Sequence, residues 1–306
     1  MNTYTPPVFS ADDEQQYLQF LDTEGYVVVG NILGQAVSNS LIEKFWMDWT
    51  AVSPTFDRND KSTWSIATSP MMFAKGMAVF SGLAHGDFMW DLRLQPQIQE
   101  IFAAVHRVDC TDMVVSFDGF SVFFDKKQKN PKPWWHVDQH PSNATYCVQG
   151  AYNFFPVTET SAGFTVVPRS HKHNVAIPKS NKGQDWIPVE NDPILQNGVK
   201  LLIPKNCLVL WNSRTIHANV GMSAQVTEKR FDRLTCYITY MPRSLRSQAT
   251  LNKKTQAYLN SDATSHWANQ CEVKKYPWGF GPQYENKGFN RLKPAVVIPD
   301  ERRILF

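Results

Sequence analysis

The stretch Trp134-Trp135-His136-Val137-Asp138-Gln139-His140 decides how the rest of the chain is interpreted. His136 and Asp138 stand two positions apart, and in an extended strand this spacing points both side chains to the same face. His140 continues the even spacing, but Pro141 follows it directly and indicates that the strand ends there. We therefore expect one strand that presents an imidazole and a carboxylate together, with His140 at the entrance or behind them.

A third ligand is predicted at His217, where a run of apolar residues that starts at Leu208 reaches a polar turn. Two histidines and one carboxylate form a set that suits Fe(II), because they fill one face of an octahedron and leave other positions open. A three-residue pattern recurs by chance, and on these residues alone an ordinary surface contact between His136 and Asp138 is favoured over a metal site. Only the surrounding sequence favours a metal site.

Two further pieces supply that context. Gly163 to His171 reads G-x-x-x-V-P-x-S-H, and Arg233 to Tyr240 is an alternating strand pattern that begins with arginine. The order H-x-D, this second motif, a distal histidine and then an arginine resembles the phytanoyl-CoA dioxygenase-like (PhyH) family of Fe(II)/2-oxoglutarate-dependent oxygenases. The resemblance covers residues 10 to 245 approximately.

The resemblance implies a dioxygenase that binds iron, 2-oxoglutarate and O2 and hydroxylates a C–H bond of a small or medium organic molecule, releasing succinate and CO2. It assigns His136, Asp138 and His217 as catalytic metal ligands. Asp138 favours hydroxylation over halogenation, since related halogenases lack that carboxylate. Desaturation, cyclisation and epimerisation would use the same ligands, and no residue identifies the substrate.

The resemblance also implies residues that bind the cosubstrate. Asn219 stands two positions after the distal histidine, where the family often has a small hydroxyl residue, although a turn-forming role is the alternative. The distal carboxylate needs an arginine, and Arg230 and Arg233 both follow His217. The family's shorter gap favours Arg230, but the alternation from Arg233 onward predicts a polar strand face, whereas Arg230 lies in a charged stretch typical of an exposed loop. We therefore predict Arg233.

Other candidates are assigned more ordinary roles. His171 and His173 form a second closely spaced pair, which we interpret as structural histidines at a turn. Arg169 stands where the family commonly has glycine, so the sequence does not determine the conformation of this turn. One outcome is that Arg169 places a cation near the opening of the site. The tryptophans Trp134, Trp135 and Trp211 fit either the core or a substrate pocket.

Composition indicates a folded globular protein. Of the 306 residues, 42% are hydrophobic, 19% charged and 13% aromatic. The net charge of +3 is dispersed along the chain, so we expect no nucleic-acid partner. The five cysteines include no C-x-x-C pair and are interpreted as reduced thiols. Neither a signal peptide nor a membrane span is predicted, which favours a cytoplasmic protein.

The expected fold is mainly β with flanking helices, with a double-stranded β-helix (jelly-roll, cupin-like) core. We predict a single domain over 1–306, with N-terminal helices in about 10–110, the jelly-roll core in about 111–245 and a C-terminal extension in about 246–306. Residues 174–198 carry three prolines and are expected to form a surface loop or a flap over the site. The extension is expected to pack across the core without clear periodicity.

Two other functional classes stay open from the sequence. One is a catalytically silent jelly-roll binding or scaffold protein, and the other is a zinc-type metal hydrolase that uses the same three ligands. Only the oxygenase is expected to give a visible absorption band with Fe(II) and 2-oxoglutarate in the absence of oxygen. The oligomeric state is left open.

Overall fold

The computed structural model describes residues 1–73, 76–125, 132–274, 290–292 and 297–306. We expect residues 126–133 to form a basic loop that leads to His136; most of this loop and part of the C-terminal extension lie outside the described residues.

Four of the six helices in the described residues, α1 to α4, lie within residues 10–110, where the sequence predicts helices. The first one ends where Gly25 adopts a left-handed conformation (φ 79°) and donates its N–H to the Leu21 carbonyl, a common helix stop. The bounds are α1 Glu14–Glu24, α2 Gln35–Val52, α3 Asp87–Arg93, α4 Pro96–His106, α5 Gln248–Leu259 and α6 Asp300–Arg303. No helix in the described part of the chain combines the length and apolar character needed to cross a bilayer.

Two six-stranded sheets form the core, and their strands come from along most of the chain. The first has the order β1 (Asn2–Tyr4), β10 (Val199–Leu201), β8 (Gly163–Val166), β12 (His217–Val220), β6 (His136–Val137), β9 (Ile187–Pro188). The second has the order β2 (Tyr26–Gly30), β11 (Cys207–Asn212), β7 (Val148–Asn153), β13 (Arg233–Ile238), β5 (Phe120–Phe123), β3 (Met77–Ala78). Two small ribbons pair β4 (Met113–Val115) with β14 (Tyr240–Pro242) and β15 (Ala263–Thr264) with β16 (Val273–Lys274).

These sheets form the jelly roll that the short strands predict. Among the pairings within the six-stranded sheets, β1 with β10 is parallel and the others are antiparallel.

Each face of the second sheet contributes apolar side chains to a different core. On β13, Leu234, Cys236 and Ile238 join the core beneath the helices, whereas Tyr237 joins the core between the two sheets with Trp211. Successive residues of a strand point to opposite faces, so Arg233, Thr235 and Tyr237 share the inner face. This alternation is the one that the sequence predicts.

Two segments differ from expectation. The C-terminal extension contains α5, which the sequence analysis missed because only Lys254, Ala257 and Tyr258 are buried and one of these is charged, so no helical period is visible. The segment 174–198 is not entirely a surface loop, since β9 pairs with β6 and buries Ile187. Two-residue strands are too short for periodicity to reveal them.

Candidate metal centre and cavity

The first sheet brings the three predicted ligands together. His136 on β6 lies directly opposite His217 on β12, and Asp138 follows β6 immediately. One ligand atom from each of the three lies within 4.8 Å of the others. Asp138 Oδ1 is 3.5 Å from His136 Nε2, and Asp138 Oδ2 is 3.2 Å from His217 Nε2. All three side chains are buried.

The orientation of both histidines is fixed by the backbone. His136 Nδ1 lies 2.9 Å from the Trp134 carbonyl oxygen, and His217 Nδ1 lies 2.9 Å from the Thr215 carbonyl oxygen. A carbonyl oxygen only accepts hydrogen bonds, so each Nδ1 carries the hydrogen and donates it. In the neutral imidazole, Nε2 then presents a lone pair towards the Asp138 carboxylate.

This arrangement fits a metal ion. Two nitrogen lone pairs and a carboxylate converge on one point, which is unfavourable unless a cation or added protons separate them. Burial raises the pKa of Asp138, but its interactions with the imidazoles of His136, His266 and His217 outweigh this and hold the pKa well below its usual range, so the carboxylate is ionised. Two imidazoles with Nδ1 bound to backbone and one carboxylate form the donor set of non-haem iron centres.

Gln149 orients the carboxylate, and the sequence analysis missed it. Gln149 lies on β7, and its Nε2 donates a hydrogen bond of 2.9 Å to Asp138 Oδ2. The backbone N–H of Asp138 donates to the Ser213 carbonyl. The only available signal was a polar residue on the inner face of a buried strand. Partners of this kind fix the ligands of a metal site and tune its affinity.

Aromatic rings enclose the histidine ligands. Trp134 stacks on His136 with ring centroids 4.2 Å apart and planes within 10° of parallel. Trp211 lies 5.2 Å from His217 on the other side. Of the two neighbouring tryptophans, Trp134 lines the cavity in front of the centre, whereas Trp135 packs among apolar residues beside the first sheet.

A cavity of about 400 Å³ opens in front of the three ligands. Besides them, its lining consists mainly of aromatic and apolar side chains, with a few polar ones. The lining residues are Phe73, Met77, Asp118, Trp134, Gln149, Phe164, Trp186, Trp211, Asn219, Tyr237, His266 and Lys274. Phe73, Asp118, Trp186, His266 and Lys274 were not predicted, because they come from irregular segments and from the C-terminal extension.

The structure distinguishes the two candidate arginines. Arg233 is 2% exposed, its Nε donates to Thr235 Oγ1 at 2.9 Å, and both terminal guanidinium nitrogens lack a hydrogen-bond partner among the described residues. Arg230 is bound to Asp232 (Nε to Oδ1, 2.7 Å) and to Thr160 Oγ1 (3.0 Å). Arg230 lies in an irregular segment, as predicted, but its guanidinium is held by the buried Asp232.

Asn219 and Tyr237 line the cavity with the three ligands, whereas Arg233 is not among its lining residues. Asn219 shares the face of β12 with His217 and donates from Nδ2 to the Tyr237 hydroxyl at 2.9 Å. That hydroxyl also lies 2.7 Å from Ser121 Oγ. Both residues line the cavity, and Tyr237 shares the inner face of β13 with Arg233.

The remaining histidine candidates lie apart from the three ligands. His140 Nδ1 is 2.7 Å from Ser142 Oγ in the turn after β6. His171 Nε2 is 2.9 Å from the Asp22 carbonyl, and His173 pairs with Asp192. Arg169 adopts a left-handed conformation (φ 65°), as the glycine of the family pattern would allow, and its guanidinium binds Glu24 and does not line the cavity.

Comparisons with known proteins agree with this geometry. No protein-family model matches the chain. The chain is 26% identical over 273 residues to "Ava biosynthesis cluster protein O" of Aspergillus versicolor, covering 81% of this chain and 85% of that protein. It is 22% identical over 306 residues to a Dictyostelium discoideum protein named "Putative phytanoyl-CoA dioxygenase", covering 85% and 83%.

A solved structure supports the fold. The epimerase SnoN in complex with Fe3+, alpha ketoglutarate and nogalamycin RO superposes with a TM-score of 0.54 at 15% identity, covering 76% of this chain and 84% of that one. At this identity the likeness concerns the fold, and it confirms the predicted jelly roll.

Proposed function

We propose that this chain, an Fe(II)/2-oxoglutarate-dependent oxygenase that resembles the phytanoyl-CoA dioxygenase-like family, hydroxylates a C–H bond of a small or medium organic molecule. The observation that carries the proposal is the convergence of His136, Asp138 and His217 at the base of one cavity. In the balanced reaction, substrate, O2 and 2-oxoglutarate give the alcohol, succinate and CO2.

The three ligands would hold Fe(II) by two nitrogen atoms and one carboxylate oxygen. Bound iron, with 2-oxoglutarate and O2, supplies the oxidising power for the C–H bond. The chain's own contribution is to hold and orient. The backbone carbonyls of Trp134 and Thr215 keep each Nε2 deprotonated, and Gln149 holds the carboxylate.

Arg233 is the proposed partner of the distal carboxylate of 2-oxoglutarate. A buried guanidinium with two unpartnered nitrogens is costly to leave unpaired, and its planar fork matches a carboxylate. Asn219 is proposed to contact the same cosubstrate, because it lines the cavity beside His217 and its amide already points to Tyr237.

Three observations support a small-molecule substrate and hydroxylation. The cavity of about 400 Å³ has the size of a small-ligand site. The relative from Aspergillus versicolor is named for a biosynthesis cluster. The carboxylate position is filled by Asp138, so no ligand position is left for a halide.

A single domain over the whole chain is also proposed. One hydrophobic core joins Tyr17 of α1, Leu210 of β11, Tyr258 of α5 and the C-terminal Phe306. Limited proteolysis that released a stable folded fragment lacking 246–306 would contradict this.

The reaction is tested by incubating the Fe(II)-loaded protein with 2-oxoglutarate, 18O2 and fractionated metabolite pools. We expect one fraction to raise succinate formation and to yield a product that carries one oxygen atom from O2. A product of unchanged mass would indicate epimerisation instead of hydroxylation, and a product lacking two hydrogens would indicate desaturation or cyclisation.

A further inference from the structure

One polar atom in the cavity has no use in the metal centre. His266 lines the cavity, yet its Nε2 is shielded from solvent and has no hydrogen-bond partner among the described residues. Burying such an atom without a partner is unfavourable. His266 lies in the C-terminal extension and does not belong to the cluster of three ligands. A bound molecule in the cavity would supply the missing partner.

The charged groups around His266 include both signs. Asp118 and Lys274 both line the same cavity, and each interacts electrostatically with the His266 ring. Burial lowers the pKa of the His266 ring, against the opposing effects of Asp138 and Asp118. Because carboxyl groups and an ammonium group line the same cavity, an uncharged hydrogen-bonding group is favoured there over a charged one, which would lose its hydration.

The rest of the cavity is suited to an apolar frame. Phe73 and Trp186 both line it and are large aromatic side chains left 37% and 46% exposed. Trp186 also lies 5.9 Å from the His136 ring, beside the metal centre. Exposed aromatics that border one cavity mark an apolar binding surface.

We propose that His266 is a specificity-determining residue that hydrogen-bonds an uncharged amide, lactam or hydroxyl group on the ring system of the substrate, while Phe73 and Trp186 cover the ring. This inference rests on the proposed function, because it names the substrate class of the same site. The C-terminal extension thereby takes part in substrate recognition.

The test uses the Fe(II)- and 2-oxoglutarate-loaded protein under anaerobic conditions and four bicyclic probes of matched size. These are 2-quinolinone (an uncharged lactam), naphthalene, 2-naphthoate and 2-naphthylmethylammonium. Binding is measured by equilibrium dialysis for the wild type, His266→Ala and His266→Gln. His171→Ala is the matched control, since this histidine binds the Asp22 carbonyl and does not line the cavity.

For the wild type we expect 2-quinolinone to bind about tenfold more tightly than the other three probes, the equivalent of one hydrogen bond of about 1.4 kcal/mol. His266→Ala should abolish this preference while leaving naphthalene binding unchanged. His266→Gln should keep part of it, and His171→Ala all of it.

Three results would overturn the inference: a charged probe binding most tightly, no discrimination by the wild type, or an equal loss for all probes in His266→Ala. The anaerobic absorption band of Fe(II) and 2-oxoglutarate is recorded in the same samples. If that band is absent in the wild type, the proposed function fails. If the band is present without the lactam preference, only the role of His266 fails.

Discussion

Replacing Arg233 by alanine should abolish tight 2-oxoglutarate binding while Fe(II) binding is retained. In the wild type the guanidinium is 2% exposed and its terminal nitrogens have no partner in the described chain. Truncating one member of a buried charge pair costs about 2–5 kcal/mol. At about 1.4 kcal/mol per tenfold, the dissociation constant for 2-oxoglutarate should rise roughly thirtyfold to several thousandfold.

Arg230→Ala is the matched control for this change. Arg230 is bound to Asp232 and Thr160 and shows no unpartnered group, so we expect the 2-oxoglutarate affinity to stay within about twofold of wild type. Removing the Arg230 side chain should instead lower the unfolding midpoint, because Asp232 is buried and loses its partner. Arg233→Lys should be intermediate, since lysine keeps the charge but not the fork.

The assay is an anaerobic titration of the Fe(II)-loaded variants with 2-oxoglutarate, combined with thermal unfolding. At a 2-oxoglutarate concentration one hundred times the wild-type dissociation constant, the ligand should stabilise the wild type and Arg230→Ala by about 2.7 kcal/mol and Arg233→Ala by about 0.9 kcal/mol or less. The reverse ranking, with Arg230→Ala losing cosubstrate affinity and Arg233→Ala keeping it, would refute the assignment.

Three further predictions follow from the contacts of the site and of the core. Asn219→Ala should weaken 2-oxoglutarate binding about tenfold, the loss of one hydrogen bond, in the same titration; an unchanged affinity would remove Asn219 from the cosubstrate site. Gln149→Leu should weaken Fe(II) binding about 10- to 100-fold in a competition with a chelator, because Asp138 loses the amide that orients it; wild-type affinity would show that the carboxylate orients itself. Acid should destabilise the fold below pH 6.5, because burial lowers the pKa of His85 to about 3 and of His106 to about 4. The unfolded chain then binds more protons than the folded chain, so stability is complete above pH 6.5 and falls as the pH approaches these values. Urea unfolding at pH 7, 5 and 4 should show a smaller decrease in the free energy of unfolding for His106→Gln than for the wild type. Equal decreases in the two proteins would exclude His106 as a cause of the acid destabilisation.

The sequence predicts those parts of the fold and site that depend on short-range patterns. The spacing of His136 and Asp138 and the alternation from Arg233 to Ile238 are local. Strand β13 carries the whole alternation, whereas β6 ends at Val137 and Asp138 follows it directly. His217 could be proposed as their neighbour only through the order of motifs, since its pairing with His136 joins distant strands.

The missed residues have a common physical reason. Gln149 contacts Asp138 only because β7 and the turn after β6 meet in three dimensions, and no pattern along the chain reports that contact. His266 and Lys274 reach the cavity from the C-terminal extension, whose helix α5 lacks a visible period. Trp186 lies beside a two-residue strand that periodicity cannot detect.

The measurement that tests the central claim most directly is the visible absorption spectrum of the protein with Fe(II) and 2-oxoglutarate in the absence of oxygen. We predict a metal-to-ligand charge-transfer band in the wild type, and its loss together with Fe(II) binding in folded His136→Ala, Asp138→Ala and His217→Ala, with His140→Ala and His171→Ala as controls that keep both. A wild type without the band, or a His217→Ala variant that retains it while His140→Ala loses it, would contradict the account.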